Sequence, residues 1–234
     1  MEALKDFYKG KRLLPNAFVA NNRVEAIQGM YVPFWMFDAE VQASATFSAK
    51  HSTVAVTDSQ EITTISYFNC EREGRLKFKR IPVDGSKKMD DTFMESIEPF
   101  TYKGMKRFAT GYMTGFLADK YDVSAEESVQ RADARILESA ENRLAHSVKF
   151  SDVTSNGDLQ CTKLSSQVSY VMVPVWILST RYKGTPYTFV MNGQTGKLVG
   201  SLPIDRGKLW CYGCITFSIC TFVLYWIIKY MMYY

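Results

Sequence analysis

The sequence predicts an α+β protein made of two related antiparallel β units with packing helices between them, plus one C-terminal transmembrane helix. Three observations support this prediction: short segments rich in β-branched and aromatic residues, an internal repeat, and a long uncharged run near the C-terminus. We expect a first β unit with an N-terminal helix and a helical connector in residues 1–122. An amphipathic helix and the second β unit follow in residues 123–205, and residues 206–234 form the linker and the transmembrane anchor.

Charge and cysteine content exclude several classes of protein. The 234 residues carry a formal net charge of +4, and basic residues are interspersed with acidic ones, so we expect no nucleic-acid partner. The N-terminal sequence contains acidic residues and lacks the apolar core of a signal peptide. The five cysteines are an odd number, and three of them fall in the C-terminal run, so we expect no disulfide framework.

The first β unit follows a short helix that a glycine and a proline interrupt. Residues 29–41 are dense in aromatic and β-branched side chains and predict a strand, with Pro33 at an edge or a bulge. Thr57-Asp58-Ser59 and Glu73-Gly74 are predicted turns. They separate the other strands of an antiparallel meander, which are residues 43–47, 51–56, 61–68 and 75–81.

Two short helical segments are predicted after the meander. Asp90 and Asp91 are placed to cap a helix over residues 92–97, which ends before a proline. Residues 108–121 form the second segment, because their aromatic residues fall along one helical stripe.

The clearest helix begins at Ser124 and is predicted to run to about His146. Ser124 and Glu127 have the spacing of a capping box, in which the serine hydroxyl accepts from the Glu127 amide and the Glu127 carboxylate reaches back to the serine N–H. We expect the apolar stripe to pack on a sheet rather than on a membrane surface. The stripe consists of Val129, Ala132, Ile136, Ala140 and Leu144.

The second β unit is predicted from the same signals as the first. Ser155-Asn156-Gly157-Asp158 is a predicted hairpin turn. Residues 193–197 have the composition of a phosphate loop, but a strand rather than a helix follows them, so they predict a turn. The predicted strands are residues 148–153, 159–164, 169–180, 187–191 and 197–202.

Two blocks of sequence recur in the two halves. Val32-Pro33-Phe34-Trp35 matches Val173-Pro174-Val175-Trp176, and Ile81-Pro82-Val83-Asp84 matches Leu202-Pro203-Ile204-Asp205. Two ordered matches indicate two related β units. Trp35 and Trp176 are then expected to point into the core beneath each sheet, and Asp84 and Asp205 to cap turns.

The C-terminal run begins at Leu209, ends at Ile228 and contains no charge, amide side chain or proline. As a helix rising 1.5 Å per residue it spans about 30 Å, the thickness of the hydrocarbon core of a bilayer. Aromatic residues at both ends and the flanking Arg206, Lys208 and Lys229 are typical of a transmembrane helix. This run predicts a single-pass protein of the cell membrane, and the two-to-one bias of flanking basic residues predicts a cytoplasmic soluble domain.

The sequence contains no recognisable catalytic constellation, and no metal or cofactor is assigned. Neither histidine lies near a nucleophile motif, and no phosphate-binding or dinucleotide-binding loop is present. Cys211 and Cys214 have C-x-x-C spacing but lack the second pair that a zinc site needs. The candidate ligand or partner surface comprises Trp35, Trp176, Asp90 and Asp91, with core packing and helix capping as their structural alternatives.

Four long motifs resemble a bacterial membrane-associated family common in Firmicutes: KDFYKGKRLLP, GMYVPFWMFDAEV, IPVDGSKKMDDTFMESIEPF and GYMTGFLADKYDVSAEESVQRADARI. Members of that family usually begin with a TFIIB-type zinc ribbon, and some are labelled as relatives of the replication-restart helicase PriA. The paired C-x-x-C knuckles of the ribbon are absent from this sequence, which is therefore expected to be either a shortened member or part of a member whose ribbon has been removed. The resemblance implies an anchored, non-catalytic protein.

These features together predict a membrane-anchored cytoplasmic adaptor that binds other proteins at the bacterial cell envelope. The alternative is a module that binds lipid or a small molecule in a cavity between the β units, lined by Trp35 and Trp176. The bilayer is the one specific partner that the sequence predicts, and residues 209–228 are expected to contact it.

Overall fold

The computed structural model describes residues 2–21, 24–57, 60–150 and 152–233, and it confirms an α+β fold with an antiparallel sheet and a C-terminal apolar helix. The helices are α1 (Glu2–Tyr8), α2 (Asn16–Asn21), α3 (Asp91–Ser96), α4 (Ala125–His146) and α5 (Arg206–Tyr233). The strands are β1 (Val24–Thr57), β2 (Gln60–Asp84), β3 (Leu117–Ala118), β4 (Asp152–Ser155), β5 (Gln160–Tyr182), β6 (Thr185–Asn192) and β7 (Leu198–Gly200). The strand order is β2-β1-β5-β6-β7, and β3 and β4 also pair with β1.

The chain divides into two compact units that are interleaved in sequence. The terminal unit comprises Met1–Tyr31, Asp90–Ala118 and Pro174–Tyr234. The hairpin unit comprises Val32–Met89 and Asp119–Val173. Strands β1 and β5 contribute residues to both units, whereas the sequence-based division at residues 122 and 205 is serial.

The long hairpin of β1 and β2 forms the frame of the hairpin unit. Its antiparallel register runs from Phe34 opposite Asp84 to Thr57 opposite Gln60. The segments predicted as separate strands are therefore continuous, and the predicted turn at Glu73-Gly74 is wrong, since Gly74 lies opposite Ala43. Buried and partly buried side chains of β1 alternate without a break from residue 39 to residue 47, and this pairing overrides the turn preference of glycine. Asp58 and Ser59, which belong to the other predicted turn, lie outside the described residues.

Helix α4 covers one face of this hairpin, as its apolar stripe predicts. Ser124 caps the helix by accepting from the Glu127 N–H over 3.2 Å, while the Glu127 carboxylate lies 4.0 Å from Lys87 Nζ. Ala140 and Leu144 pack against the buried Phe47 and the alanines of β1. Small side chains on both elements let the helix lie close to the strand. The core of this unit contains Phe37, Val41, Ala43, Ala45, Phe47, Val83, Ala132, Ile136, Ala140 and Leu144.

The helix predicted over residues 108–121 is wrong. A 3₁₀ turn covers Thr110–Met113, and β3 follows and pairs in parallel with the start of β1. Gly115 has a φ of 83°, which ends any helical path there. Phe116 then packs against Tyr31 with ring centroids 5.5 Å apart, so the aromatic stripe serves tertiary contacts rather than a helix face.

The terminal unit is built on the β5–β6 hairpin. Tyr182 pairs with Thr185 across a two-residue turn, in which Lys183 and Gly184 both have positive φ values of 50° and 82°. This is the left-handed conformation that tight hairpin turns require. Helices α1 and α2 pack on the hairpin through a core of Leu4, Leu14, Phe18, Leu178 and Phe189.

Two further strand predictions change in detail. Residues 159–164 and 169–180 belong to one strand, β5, rather than to two. The strand predicted at residues 148–153 is shifted, because β4 pairs with β1 from Lys50 opposite Asp152 to Phe47 opposite Ser155. Ser151 lies outside the described residues.

Candidate functional site

The V-P-x-W motif of the hairpin unit sits at a fixed position in the strand pairing. Trp35 lies opposite Val83, and Phe34 lies opposite Asp84. Just beyond this pair, the Gly85 N–H donates to the Pro33 carbonyl over 3.0 Å. Pro33 therefore lies within β1 and uses its carbonyl, not the missing N–H, to extend the pairing.

The terminal unit repeats this arrangement. Trp176 lies opposite Met191 on β6, and the Gly193 N–H donates to the Pro174 carbonyl over 2.9 Å. A Cβ on Gly193 would come within 2.8 Å of that carbonyl oxygen, so the close approach requires glycine. The two V-P-x-W blocks are therefore equivalent in backbone pairing as well as in sequence.

The second predicted block of the repeat is wrong. The segment that begins at Ile81 ends β2, whereas the segment that begins at Leu202 follows β7 outside any strand. The register identifies Asn192 as the counterpart of Asp84, because Asn192 lies opposite Val175 as Asp84 lies opposite Phe34. Two residues are structurally equivalent when they have equivalent partners on the neighbouring strand. A short sequence match that contains a proline does not show which residues pair.

Trp35 is packed among aromatic side chains of its own unit. Its ring centroid lies 5.1 Å from that of Tyr121 and 5.2 Å from that of Tyr170, and the two tyrosine rings are 5.7 Å apart. The indole N–H donates to the Val123 carbonyl over 2.9 Å. Because the three rings contact one another, this arrangement favours packing over a ligand-stacking platform.

Trp176 has an equally specific environment in the terminal unit. Its ring meets Phe116 edge-on at a centroid distance of 5.4 Å. Gly29 lies beneath both rings, where an added Cβ would be 2.5 Å from Phe116 and 3.2 Å from Trp176. Absence of a side chain at residue 29 is therefore a condition for this aromatic contact.

Asp90 acts as the predicted helix cap. Its carboxylate accepts from the N–H groups of Thr92 at 2.8 Å and Phe93 at 3.4 Å, at the start of α3. Asp91 is exposed in the first turn of the same helix, where a negative charge suits the helix dipole. Both aspartates belong to the terminal unit, together with Trp176, whereas Trp35 belongs to the hairpin unit.

A buried carboxylate in the hairpin unit escaped sequence analysis. Asp119 is 8% exposed and accepts hydrogen bonds from the Ser86 hydroxyl at 2.8 Å, from the Lys120 N–H at 3.0 Å and from the Lys88 ammonium. Burial alone would raise the pKa of this carboxyl, but the hydrogen bonds from Lys88 and Ser86 outweigh it and lower that pKa. The hydrogen bond to Asp119 also raises the pKa of Lys88. This network ties the loop after β2 to the segment before α4.

Asn192 holds a comparable junction in the terminal unit. The residue is fully buried, and its amide nitrogen donates to the carbonyls of Ile97 at 2.9 Å and Pro99 at 3.1 Å. Its amide oxygen accepts from the N–H groups of Gln194 at 2.8 Å and Thr195 at 3.0 Å. One side chain thus joins the end of α3 to the turn after β6. The glycine-rich sequence predicts the turn, but the role of the Asn192 side chain depends on contacts distant in sequence.

The start of α5 is fixed to the terminal unit rather than joined by a free linker. The Asp205 N–H donates to the Leu13 carbonyl over 2.8 Å, and its carboxylate caps α5 by accepting from Gly207 N–H at 2.9 Å. The Lys208 ammonium donates to the Leu14 carbonyl and to the Asn16 side chain, both at 2.7 Å. We call these contacts the α5 clamp. Asp205 thereby caps a helix rather than the turn that was predicted for it.

Helix α5 is long and apolar enough to cross a membrane, and none of its apolar window is buried within the protein. Its 28 residues extend about 42 Å at the helical rise of 1.5 Å. Cys211, Cys214 and Cys220 lie exposed on it.

A second exposed apolar surface lies at the free end of the β1–β2 hairpin, in residues 50–57 and 60–68, here called the distal ribbon. Opposite residues of an antiparallel pair project to the same face. The register therefore places four exposed apolar side chains on one face of the ribbon: Val54, Val56, Ile65 and Tyr67. On the other face, Phe68 stacks on Phe150 with centroids 4.9 Å apart.

Among the residues that the structure describes, no group of three His, Cys, Asp or Glu side chains could hold a metal ion. One depression in the hairpin unit is shallow and polar, about 310 Å³ in volume, and is lined by residues that include Thr46, Arg72 and Asp158. Thr46 and Asp158 are already joined, since the Thr46 N–H donates to the carboxylate over 2.8 Å. The exposed surfaces, rather than a cavity, are thus the prominent candidate sites.

Comparison with known proteins gives one informative similarity. No protein-family model and no solved structure matches the chain. The uncharacterised protein YdjG of Bacillus subtilis strain 168 is 37% identical over 212 residues, which are 89% of this chain and 61% of the relative. The chain thus spans about three fifths of the length of that relative, a protein from a Firmicute.

Proposed function

We propose that this protein is a non-catalytic, membrane-anchored adaptor whose cytoplasmic domain binds other proteins at the cell envelope. The observation that carries the proposal is the α5 clamp: an apolar helix of membrane-spanning length begins while it is hydrogen-bonded to the folded domain. An anchor fixed in this way would hold the terminal unit in a defined orientation to the bilayer, which suits a scaffold.

The flanks of α5 support anchoring in this orientation. Arg206 and Lys208 precede the apolar run and Lys229 follows it, and an excess of basic residues favours the cytoplasmic side. Lys229 lies over the Trp226 ring at 5.0 Å, an aromatic and basic pair of the kind found at the membrane–water interface.

The distal ribbon supports a binding role. It exposes Val56 and Tyr67 at 78% and 70% of their surface, on strands whose other end is covered by α4. Grouped exposed apolar side chains of this kind are typical of protein interaction surfaces.

The alternative, a lipid-binding or small-molecule-binding module built on Trp35 and Trp176, has less support. Each tryptophan packs against aromatic side chains of its own unit, which already cover part of its ring. Lipid that copurifies in fixed ratio with the protein, detected by mass spectrometry, would favour this alternative.

Thiol labelling in intact bacterial cells tests the anchor. Single cysteines placed at Val56 and at Tyr233, in a variant without the native cysteines, should differ in their accessibility to a membrane-impermeant maleimide. We expect labelling at residue 233 only in intact cells, and labelling at both after lysis. Labelling of both residues in intact cells, or recovery of the protein in the soluble fraction, would contradict the anchored cytoplasmic arrangement.

The binding role requires a separate measurement. Purification of the full-length protein from detergent-solubilised membranes should recover a second protein in stoichiometric amount. A V56K variant, which places a charge on the exposed face of the ribbon, should lower that recovery. Equal recovery of the same partner with and without the substitution would show that the distal ribbon does not bind it. Recovery of no partner would contradict the adaptor role.

We also propose that the chain descends from the zinc-ribbon family that its four motifs resemble. The similarity to a longer Firmicute protein supports this relation. Metal analysis of purified YdjG checks it: we expect about one zinc ion per chain, the content of one zinc ribbon. YdjG that contains no zinc when purified without chelators would contradict this relation to the zinc-ribbon family.

A further inference from the structure

Strand β2 changes character along its length. It stands at the end of the strand order, so one of its edges faces away from β1. From Glu71 to Arg80 this strand is mostly charged, and the pairing with β1 is interrupted by a bulge between Phe37 and Ala39. Charge and bulges are the features that prevent a sheet edge from pairing with another chain. Residues 62–70, in contrast, contain no charged side chain.

We propose that two copies of this chain pair through the uncharged part of the β2 edge, antiparallel and symmetric about Ile65. A two-fold axis at this residue sets Ile65 opposite its own copy and Phe68 opposite Ile62. It also sets Thr64 opposite Ser66 and Thr63 opposite Tyr67. Apolar side chains thus face apolar ones, hydroxyl groups face hydroxyl groups, and cross-strand pairs of these kinds stabilise a sheet.

The charges at the ends of the paired segment also suit a second copy. Glu61 falls opposite Asn69 in this register, so no pair of like charges meets between residues 61 and 69. A two-fold contact uses the same surface on both chains and is closed, which limits the assembly to a dimer. The joined ribbons would also bring together the exposed faces that carry Ile65 and Tyr67.

The outer edge of β1 in the distal ribbon is a poorer fit for the same contact. A two-fold axis at Ala55 would set Val54 opposite Val56 and Thr53 opposite Thr57. The matched segment would then cover residues 53–57, where β1 ends, whereas on β2 it covers the longer segment 62–68. The longer match favours the β2 edge over the β1 edge, and the proposal depends neither on the anchor nor on another partner protein.

Disulfide trapping tests the register. Residues directly opposite in antiparallel strands have Cα atoms about 4.5–5.5 Å apart, within the range of about 4.4–6.8 Å that a disulfide spans. In full-length protein whose five native cysteines are serine, I65C should form a crosslinked dimer under mild oxidation. Single I62C should stay monomeric, because the two copies of residue 62 lie about 20 Å apart at a rise of about 3.4 Å per residue. The I62C/F68C double variant should crosslink again.

Several outcomes would overturn the proposal. Crosslinking of I62C as efficient as that of I65C would indicate random collision, and efficient crosslinking of A55C with none at residue 65 would place the contact on β1. Monomeric I65C at all protein concentrations would exclude the pairing.

A second measurement avoids replacement of the native cysteines. I65K places two like charges opposite each other at the axis, so we expect at least a tenfold weaker dimer by light scattering of the detergent-solubilised full chain. V56K is the matched control, because it adds the same charge to the ribbon on the neighbouring strand, and it should leave the dimer intact. Circular dichroism verifies that both variants fold, and equal dissociation of both dimers would overturn the assignment.

Discussion

Asp84 and Asn192 occupy equivalent positions in the strand pairing of two β units, but the carboxylate only accepts hydrogen bonds, whereas the amide both accepts and donates them. Asp84 lies opposite Phe34 and accepts from the Ser86 N–H at 3.3 Å, whereas Asn192 lies opposite Val175 and donates to two carbonyls. Each side chain also accepts hydrogen bonds from the turn that follows its strand. The amide of Asn192 adds a donor, and this donor joins β6 to α3.

The first prediction concerns this donor. N192D replaces the amide with a carboxylate that faces the carbonyls of Ile97 and Pro99, so two buried acceptors lose their partner and meet a negative charge. We expect a loss of about 3 kcal/mol in the free energy of unfolding. Urea unfolding of the detergent-solubilised protein, followed by tryptophan fluorescence, measures it. N142D, an exposed change of the same kind on α4, is the control, and equal effects of the two variants would contradict the role of Asn192.

The second prediction concerns the contact of Gly29 with Phe116 and Trp176. G29A places a Cβ 2.5 Å from Phe116, so the ring must shift, and we expect a loss of about 1–3 kcal/mol in the free energy of unfolding. G74A is the matched control, because a Cβ there meets no atom within 4 Å, and its effect should stay within about 0.5 kcal/mol. Thermal unfolding compares the two, and a G29A midpoint that matches the G74A midpoint would disprove the close packing.

The third prediction concerns the pH dependence of the Asp119 network. The folded state lowers the pKa of this carboxyl, so its stabilising effect is present above the unfolded pKa of about 3.9 and is lost as the pH falls through the lower folded value. D119N should therefore cost about 1–3 kcal/mol at pH 7, and the difference from the unmodified protein should shrink below about pH 4.

Urea unfolding between pH 3 and pH 8 measures this effect. E138Q removes an exposed carboxylate from α4 and should leave the unfolding free energy nearly unchanged at pH 7. A D119N deficit that is constant over the whole pH range would show that the lost stability does not come from the ionised carboxylate.

The fourth prediction concerns the α5 clamp. K208A removes the hydrogen bonds to the Leu14 carbonyl and the Asn16 side chain, so the segment around Leu13 should open more often. We expect amide hydrogen exchange at Asp205, whose N–H donates to Leu13, to accelerate about tenfold. R206A is the control, since Arg206 is exposed beside the clamp. Unchanged exchange in K208A would indicate that the clamp does not restrain the start of α5.

Where a local pattern is complete, the structure agrees with the sequence. Ser124 caps α4, the stripe from Ala132 to Leu144 is buried against β1, and Asp90 caps α3. These features depend on the spacing of residues within one or two helical turns, which the chain itself displays.

The errors share a different origin. Glu73-Gly74 has the composition of a turn, yet it is paired with β1 over its full length. Residues 108–121 have a helical stripe, yet Phe116 follows a glycine with positive φ and packs against Trp176. In both cases contacts with residues distant in sequence stabilise the observed structure more than the local preference for a turn or a helix disfavours it. The amino-acid sequence alone does not show which distant residues make those contacts.

The sequence by itself therefore determined the α+β class, the amphipathic helix α4, the apolar helix α5 and the position of the V-P-x-W repeat. Only the tertiary structure decided that Asn192 is the counterpart of Asp84, that Asp119 is buried beside Lys88, and that α5 is clamped at Lys208. Among the described strands, none pairs with the outer edge of β2 around Ile65. Periodicity is a property of neighbouring residues, whereas register, burial of a charge and exposure of an edge depend on what the rest of the chain places beside them.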